Sequence, residues 1–155
     1  MSFGQLSVKG RALRYLAQRE HSRRELERKL ARFVEDTPEA SAQAQIAAAL
    51  DELAAKNLLS EDRAAASVLL GQGQRHGTRR LRQTLQAKGL APELVAATLQ
   101  QARATELDRA REVWRRRFGE PPVDAAARAK QMRFLAGRGF EGETIRRVVQ
   151  GGEDE

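Results

Sequence analysis

The run GTRRLRQTLQAKGL, residues 77–90, holds Arg79, Arg80, Arg82 and Lys88 and no acid. Guanidinium groups at this density can grip phosphate or carboxylate through paired, charge-assisted hydrogen bonds. The one-sign character extends outward: no acid occurs between Asp62 and Glu93, while Arg63 and Arg75 add to the cations. A second run, WRRRFG at 114–119, contributes Arg115, Arg116 and Arg117. The early part of the chain is different. There Arg23, Arg24, Arg28 and Lys29 alternate with Glu20, Glu25 and Glu27, and Glu25 with Lys29 makes a favourable i,i+4 pair. The seven cations Arg79, Arg80, Arg82, Lys88, Arg115, Arg116 and Arg117 are therefore the candidate partner-binding residues.

Other chemistry has little to stand on. His21 and His76 are the only histidines; they fall in matching turns, which predicts a packing role. There is no cysteine, hence no thiol nucleophile, thiolate ligand or disulfide. The glycines of GQGQRHG are not followed by Lys-Ser/Thr at a helix start, as a phosphate loop requires. No spacing of His and carboxylates suggests a metal site. The pairs Asp51–Glu52 and Glu61–Asp62 read as solvent-facing or as complements to a helix dipole. No enzyme, cofactor or metal is expected. A short helix, a turn and a basic helix also invite a helix-turn-helix reading. Gln83 and Gln86 could face bases, but any polar helix would offer as much, so weak, nonspecific contact with DNA phosphate is expected over sequence-specific reading.

The 155 residues suit one domain or a few very small ones. The net charge is +7 with an isoelectric point near 10.7. Three of the acids sit in the terminal GGEDE, so the remainder is near +10. Such a surface attracts polyanions or an acidic protein. No apolar run approaches the roughly 18 residues of a spanning helix, and MSFGQLSVKG lacks the pattern of a signal peptide. A cytoplasmic monomer is the expectation.

To position these cations the chain must be helical. Ala, Leu, Arg, Gln and Glu dominate, all good helix formers, and no stretch alternates in the manner of a strand. Ser22 and Glu25 form a capping box for a helix with Leu26 and Leu30 on one face and Phe33 one turn on. Residues 34–41 read as a polar loop. A helix from about Ala42 to Lys56 points Ile46, Leu50 and Leu53 inward. Ser60 caps the next, and Gly71, Gly73 and Gly77 close it. Thr78 is placed as the cap of the basic helix, whose Leu81 and Leu85 lie opposite Arg79, Arg80, Arg82 and Gln83. Lys88 falls near the apolar stripe, its head extending outward. Gly89 suits a left-handed C-terminal position and Pro92 a first helical one. A further helix start is read at Thr105 with Asp108, carrying Leu107, Val113 and Trp114, and ending at Gly119, Pro121 and Pro122. A helix from about Asp124 to Ala136 and a short one around Ile145 and Val149 complete the chain.

A repeat underlies the pattern. LQAKGLAPELV (85–95) overlays LAGRGFEGETI (135–145) at an offset of 50. REHSRRELERKL (19–30) overlays QRHGTRRLRQTL (74–85) at an offset of 55, which sets His21 on His76. A period of this kind marks a repeat array. Short helices are marginal alone, so stacked neighbours must bury what each leaves open. The predicted fold is all-α: an elongated, curved array of three tandem three-helix, helix-turn-helix-like repeats over 1–60, 61–104 and 105–150, with an acidic disordered tail at 151–155.

Three stretches in order, YLAQREHSRRELERKL, LDELAAKNLLSEDRAAAS and GTRRLRQTLQAKGL, resemble the RecX family of recombinase regulators. Arg19, Ser22, Glu25 and Leu26 match its Arg-x-x-Ser-x-x-Glu-Leu pattern. Leu58, Leu59, Ser60 and Arg63 match a second pattern, and Gly77, Arg80, Leu81, Leu85, Lys88 and Gly89 a third. Ala64 stands where the family usually has an aromatic, and His76 where it often has tyrosine; both read as packing positions. The resemblance implies a protein that binds RecA and its filaments on single-stranded DNA. It implies restraint of ATPase, strand exchange and co-protease activity, by lodging in the filament groove or by blocking growth, in recombination, repair and the SOS response. The alternative is a basic helical-repeat protein that binds DNA nonspecifically without touching RecA.

Overall fold

The computed structural model describes residues 5–150, and the acidic stretch 151–155 lies outside the described residues. Eight helices and no strand occur among the described residues: α1 (Val8–Gln18), α2 (Arg23–Leu30), α3 (Ala42–Ala55), α4 (Glu61–Gln72), α5 (Thr78–Ala87), α6 (Pro92–Arg117), α7 (Ala125–Gly137) and α8 (Gly142–Val149). They form two compact units. One holds residues up to Ser67 with Lys88–Leu90; the other holds Val68–Ala87 and the chain from Ala91.

In the first unit α1, α2 and α3 pack on one another. Ser7 and Ser41 cap α1 and α3, and Ser22 with Glu25 forms the expected reciprocal box on α2. Leu26, Leu30, Leu50 and Leu53 are fully buried and join Ala12, Ile46 and Leu59 in the core. Each such leucine contributes about 2 kcal/mol. Phe33 departs from expectation. The helix ends at Leu30, so Phe33 leaves the inward face, is half exposed, and lies under the Arg11 guanidinium at 3.9 Å. Past α3 the chain turns through Asn57 at φ 60°, and the Leu58 amide donates to the Leu53 carbonyl at 2.9 Å. This is the left-handed helix ending usually given to glycine.

In the second unit α6, α7 and α8 pack together and α5 lies along α6. Ala110, Leu135, Phe140, Ile145, Val148 and Val149 form its core, with Leu107, Val113 and Trp114 against it. The overlaid repeat positions are structurally alike: Leu85 and Leu135 are fully buried, and Gly89 and Gly139 both have positive φ.

Two expected caps are corrected. Thr105 starts no helix, because α6 runs unbroken from Pro92 to Arg117 and the Thr105 hydroxyl turns back onto the Ala102 carbonyl. The reason is local: no Gly or Pro interrupts 93–117, and Val95, Leu99, Ala102 and Ala110 keep one buried stripe. Thr78 does not cap α5 with its hydroxyl, which is buried without a partner. Instead the buried Glu106 carboxylate of α6 accepts from the Thr78 amide at 2.8 Å and from the Thr144 hydroxyl at 2.6 Å. The first unit uses the same device, since Glu61 accepts from the Arg23 amide at 2.6 Å.

Candidate functional site

α5 has one buried face, formed by Thr78, Leu81 and Leu85. That geometry puts Arg79 and Arg80 in solvent and leaves Arg82 partly exposed. The side chains of Arg79 and Arg82 have no partner among the described residues, so their charge is free for an outside ligand. Arg80 reaches the Gly137 carbonyl through one guanidinium nitrogen at 3.3 Å.

Lys88 is placed differently. Its ammonium does not extend outward but pairs with Glu25 at 2.8 Å, both side chains being largely buried. Glu25 also takes Arg19 at 2.8 Å and the Ser22 amide at 3.0 Å. Burial would raise the Glu25 pKa, but Arg19, Lys88 and the Ser22 amide override it and hold the carboxyl at about 2. The Ser22 hydroxyl donates to the Lys88 carbonyl at 2.7 Å. Lys88 is thus committed within the first unit.

Of the WRRRFG cations, Arg115 and Arg116 are exposed and share Glu112, at 3.0 and 3.1 Å. Arg117 lies over the Phe134 ring at 5.4 Å, and Arg138 over the same ring at 5.2 Å. The structure gathers Arg116 and Arg117 with Arg75 and Arg138 around a cavity of about 290 Å³, lined also by Phe134 and carrying the single acid Glu112. Arg115 does not line it. The positive field there is felt by His76, whose pKa is lowered by burial and then by Arg80, Arg138 and Arg75. Arg138 escaped the sequence reading because it sits in no arginine run, and Arg75 was counted there only among the cations that flank the basic helix.

His21 holds a packing position, whereas His76 is partly buried and its Nδ1 is enclosed without a hydrogen-bond partner. His21 is fully buried, with Nδ1 at 3.0 Å from the Arg19 carbonyl and Nε2 at 2.9 Å from the Lys29 ammonium. This pattern fits a neutral ring donating through Nδ1 and accepting at Nε2. Arg109, also missed in the sequence, is structural: its guanidinium donates to the carbonyls of Gly73, His76 and Ala102. Among the described residues no group of three or more His, Asp or Glu could hold a metal ion, and no helix is long and apolar enough to cross a membrane.

Known proteins place this architecture. Residues 9–35 match the family model described as RecX, first three-helix domain, and residues 104–149 match RecX, third three-helix domain. The second match begins inside α6 and runs through α7 and α8. The chain is 51% identical over 146 residues to the regulatory protein RecX of Leptothrix cholodnii, covering 94% of this chain and 89% of that one. It is 45% identical over 148 residues to that of Ralstonia nicotianae, covering 96% and 89%. The crystal structure of RecX from Lactobacillus salivarius superposes with a TM-score of 0.72 at 17% identity, over 92% of each chain, and so shares the fold. With relatives aligned over nearly its whole length and two three-helix domain models matched within it, the chain belongs to the RecX family of regulatory proteins.

Proposed function

We propose that this protein is a cytoplasmic, monomeric regulator that binds RecA and the filament RecA forms on single-stranded DNA. It lowers ATPase, strand exchange and co-protease activity, and so tunes recombination, repair and the SOS response. Family membership carries this reading, resting on 51% identity over 94% of the chain. The free charges of Arg79 and Arg82 on the outer face of α5 support it, because unpaired exposed cations steer a protein onto an acidic assembly. Several contacts of modest strength along one chain add up through effective concentration.

The second reading is nonspecific DNA binding without RecA contact, favoured by the arginine cavity around Phe134. The two separate in a RecA ATPase assay on single-stranded DNA. A filament regulator inhibits at amounts well below those that cover the DNA. A DNA-covering protein inhibits only near saturation and loses its effect steeply with salt. Absence of inhibition at any sub-saturating ratio overturns the proposal.

A further inference from the structure

Two corners of this chain are built alike and charged differently. In the first unit the N-terminus of α2 meets Lys88–Leu90: the Ser22 hydroxyl donates to the Lys88 carbonyl, and Gly89 lies against the Arg24 side chain. In the second unit the N-terminus of α5 meets Arg138–Phe140: the Gly77 amide donates to the Arg138 carbonyl at 2.9 Å, the Arg79 amide to the Gly139 carbonyl at 3.0 Å, and Gly139 lies against Arg80. The repeat offsets of 55 and 50 put Glu25 in register with Arg80 and Lys88 in register with Arg138. The first corner is therefore closed by an internal ion pair, Glu25–Lys88 at 2.8 Å. At the second corner both members are arginines.

Two guanidinium groups where a carboxylate and an ammonium would neutralise each other leave a demand for an anion. The neighbourhood increases it. Arg75 comes from the turn before α5, Arg117 from the end of α6, and Arg138 from the end of α7, all bordering the same cavity of about 290 Å³. Its one acid, Glu112, already serves Arg115 and Arg116. The Phe134 ring is occupied by Arg117 and Arg138 and edge-on by Phe118, which leaves the cations rather than the ring to bind. A single carboxylate is satisfied by one arginine fork. Cations converging from three elements fit a group that offers more acceptor oxygens and carries its charge on a repeating backbone.

We propose that the arginine corner in which Arg75, Arg117 and Arg138 border the cavity and Arg80 lies beside it against Gly139 is a phosphate-binding site that takes a backbone phosphodiester of single-stranded DNA. The site does not depend on the recombinase, and its test uses the protein alone, so its failure is separate from failure of the regulatory reading.

The test is fluorescence anisotropy of a labelled oligothymidylate of about 15 nucleotides titrated with the full chain at several salt concentrations. Arg80→Glu installs in the second corner the acid that the first corner has at Glu25. It should close the corner on Arg138, weaken oligonucleotide binding about tenfold, and leave the thermal unfolding midpoint unchanged or higher. A folding defect cannot produce that combination. Arg75→Gln, which removes a side chain without a partner of its own, should weaken binding several-fold and lower the salt slope by about 0.7. Arg103→Glu, an exposed position outside the cavity, is the charge control and should change binding less than about twofold. Equal losses in Arg75→Gln, Arg80→Glu and Arg103→Glu would mean diffuse attraction and overturn the site. So would unchanged oligonucleotide binding in Arg75→Gln and Arg80→Glu, or a loss confined to binding of a polyglutamate peptide.

Discussion

At the residue scale the strongest electrostatic element is Glu25. Its folded pKa is about 2 against an ordinary 4.5. A depressed carboxyl stabilises the fold above its unfolded pKa, and that contribution is lost as pH falls from about 4.5 towards 2. Glu25→Gln should cost about 2 kcal/mol at neutral pH. Urea unfolding of both proteins should show the gap closing between about pH 4.5 and pH 2; a gap that persists there would assign the loss to packing. The histidines act higher on the pH scale. Both have pKa values lowered from 6.5, first by burial. The native state then prefers neutral rings, so stability is full above about pH 6.5 and declines as pH falls below it. Replacing His21 should remove part of that decline, read as a flatter unfolding midpoint between about pH 7 and 5. The capping box, Gly89 and the inward leucines were legible at this scale because each depends on neighbours within four residues. The Lys88–Glu25 pair was not: its partners are 63 residues apart.

At the element scale the corners decide which substitutions the helices tolerate. Gly139 has φ +88°, and an added Cβ would lie 2.4 Å from Arg80 Cβ and 2.7 Å from its backbone nitrogen. Gly89 has φ +69°, but the nearest atoms its Cβ would meet belong to the flexible Arg24 side chain. Gly139→Ala should therefore cost about 3 kcal/mol or more and Gly89→Ala about 1–2 kcal/mol, measured by denaturant unfolding; the reverse order would refute the packing at Gly139. Gly71 sits within α4 with nothing near its Cβ position, so Gly71→Ala should stabilise the protein by about 0.5–1 kcal/mol. Glu106→Ala should cost about 3 kcal/mol, because it strips a buried carboxylate from the Thr78 amide and the Thr144 hydroxyl together. We propose that the three repeats divide near 60/61 and 104/105, with α6 serving two of them. The sequence marked that second boundary with Thr105, whose hydroxyl caps a helix as readily as it bonds back to its own. Only the unbroken buried stripe along α6 distinguishes the two.

At the scale of the whole molecule the proposed partners ask different residues for charge. Arg79→Glu with Arg82→Glu leaves helix propensity nearly unchanged. On the proposal, the pair should abolish most inhibition of RecA ATPase while oligonucleotide binding falls only modestly. Arg80→Glu should do the opposite. If both variants lose both activities in parallel, the division of labour between α5 and the arginine corner is wrong. The amino-acid sequence by itself determined that the chain is all-helical, that its units repeat, where most helices begin, and which stretches are cationic. These properties rest on propensity, capping and periodicity, all local interactions. Tertiary structure alone decided which cations are free. Lys88 is consumed by Glu25 and Arg109 by three carbonyls, while Arg75 and Arg138, far apart in sequence, border one cavity. A charge's availability depends on what lies within a few ångströms of it, and in a chain of stacked short helices those neighbours come from other helices.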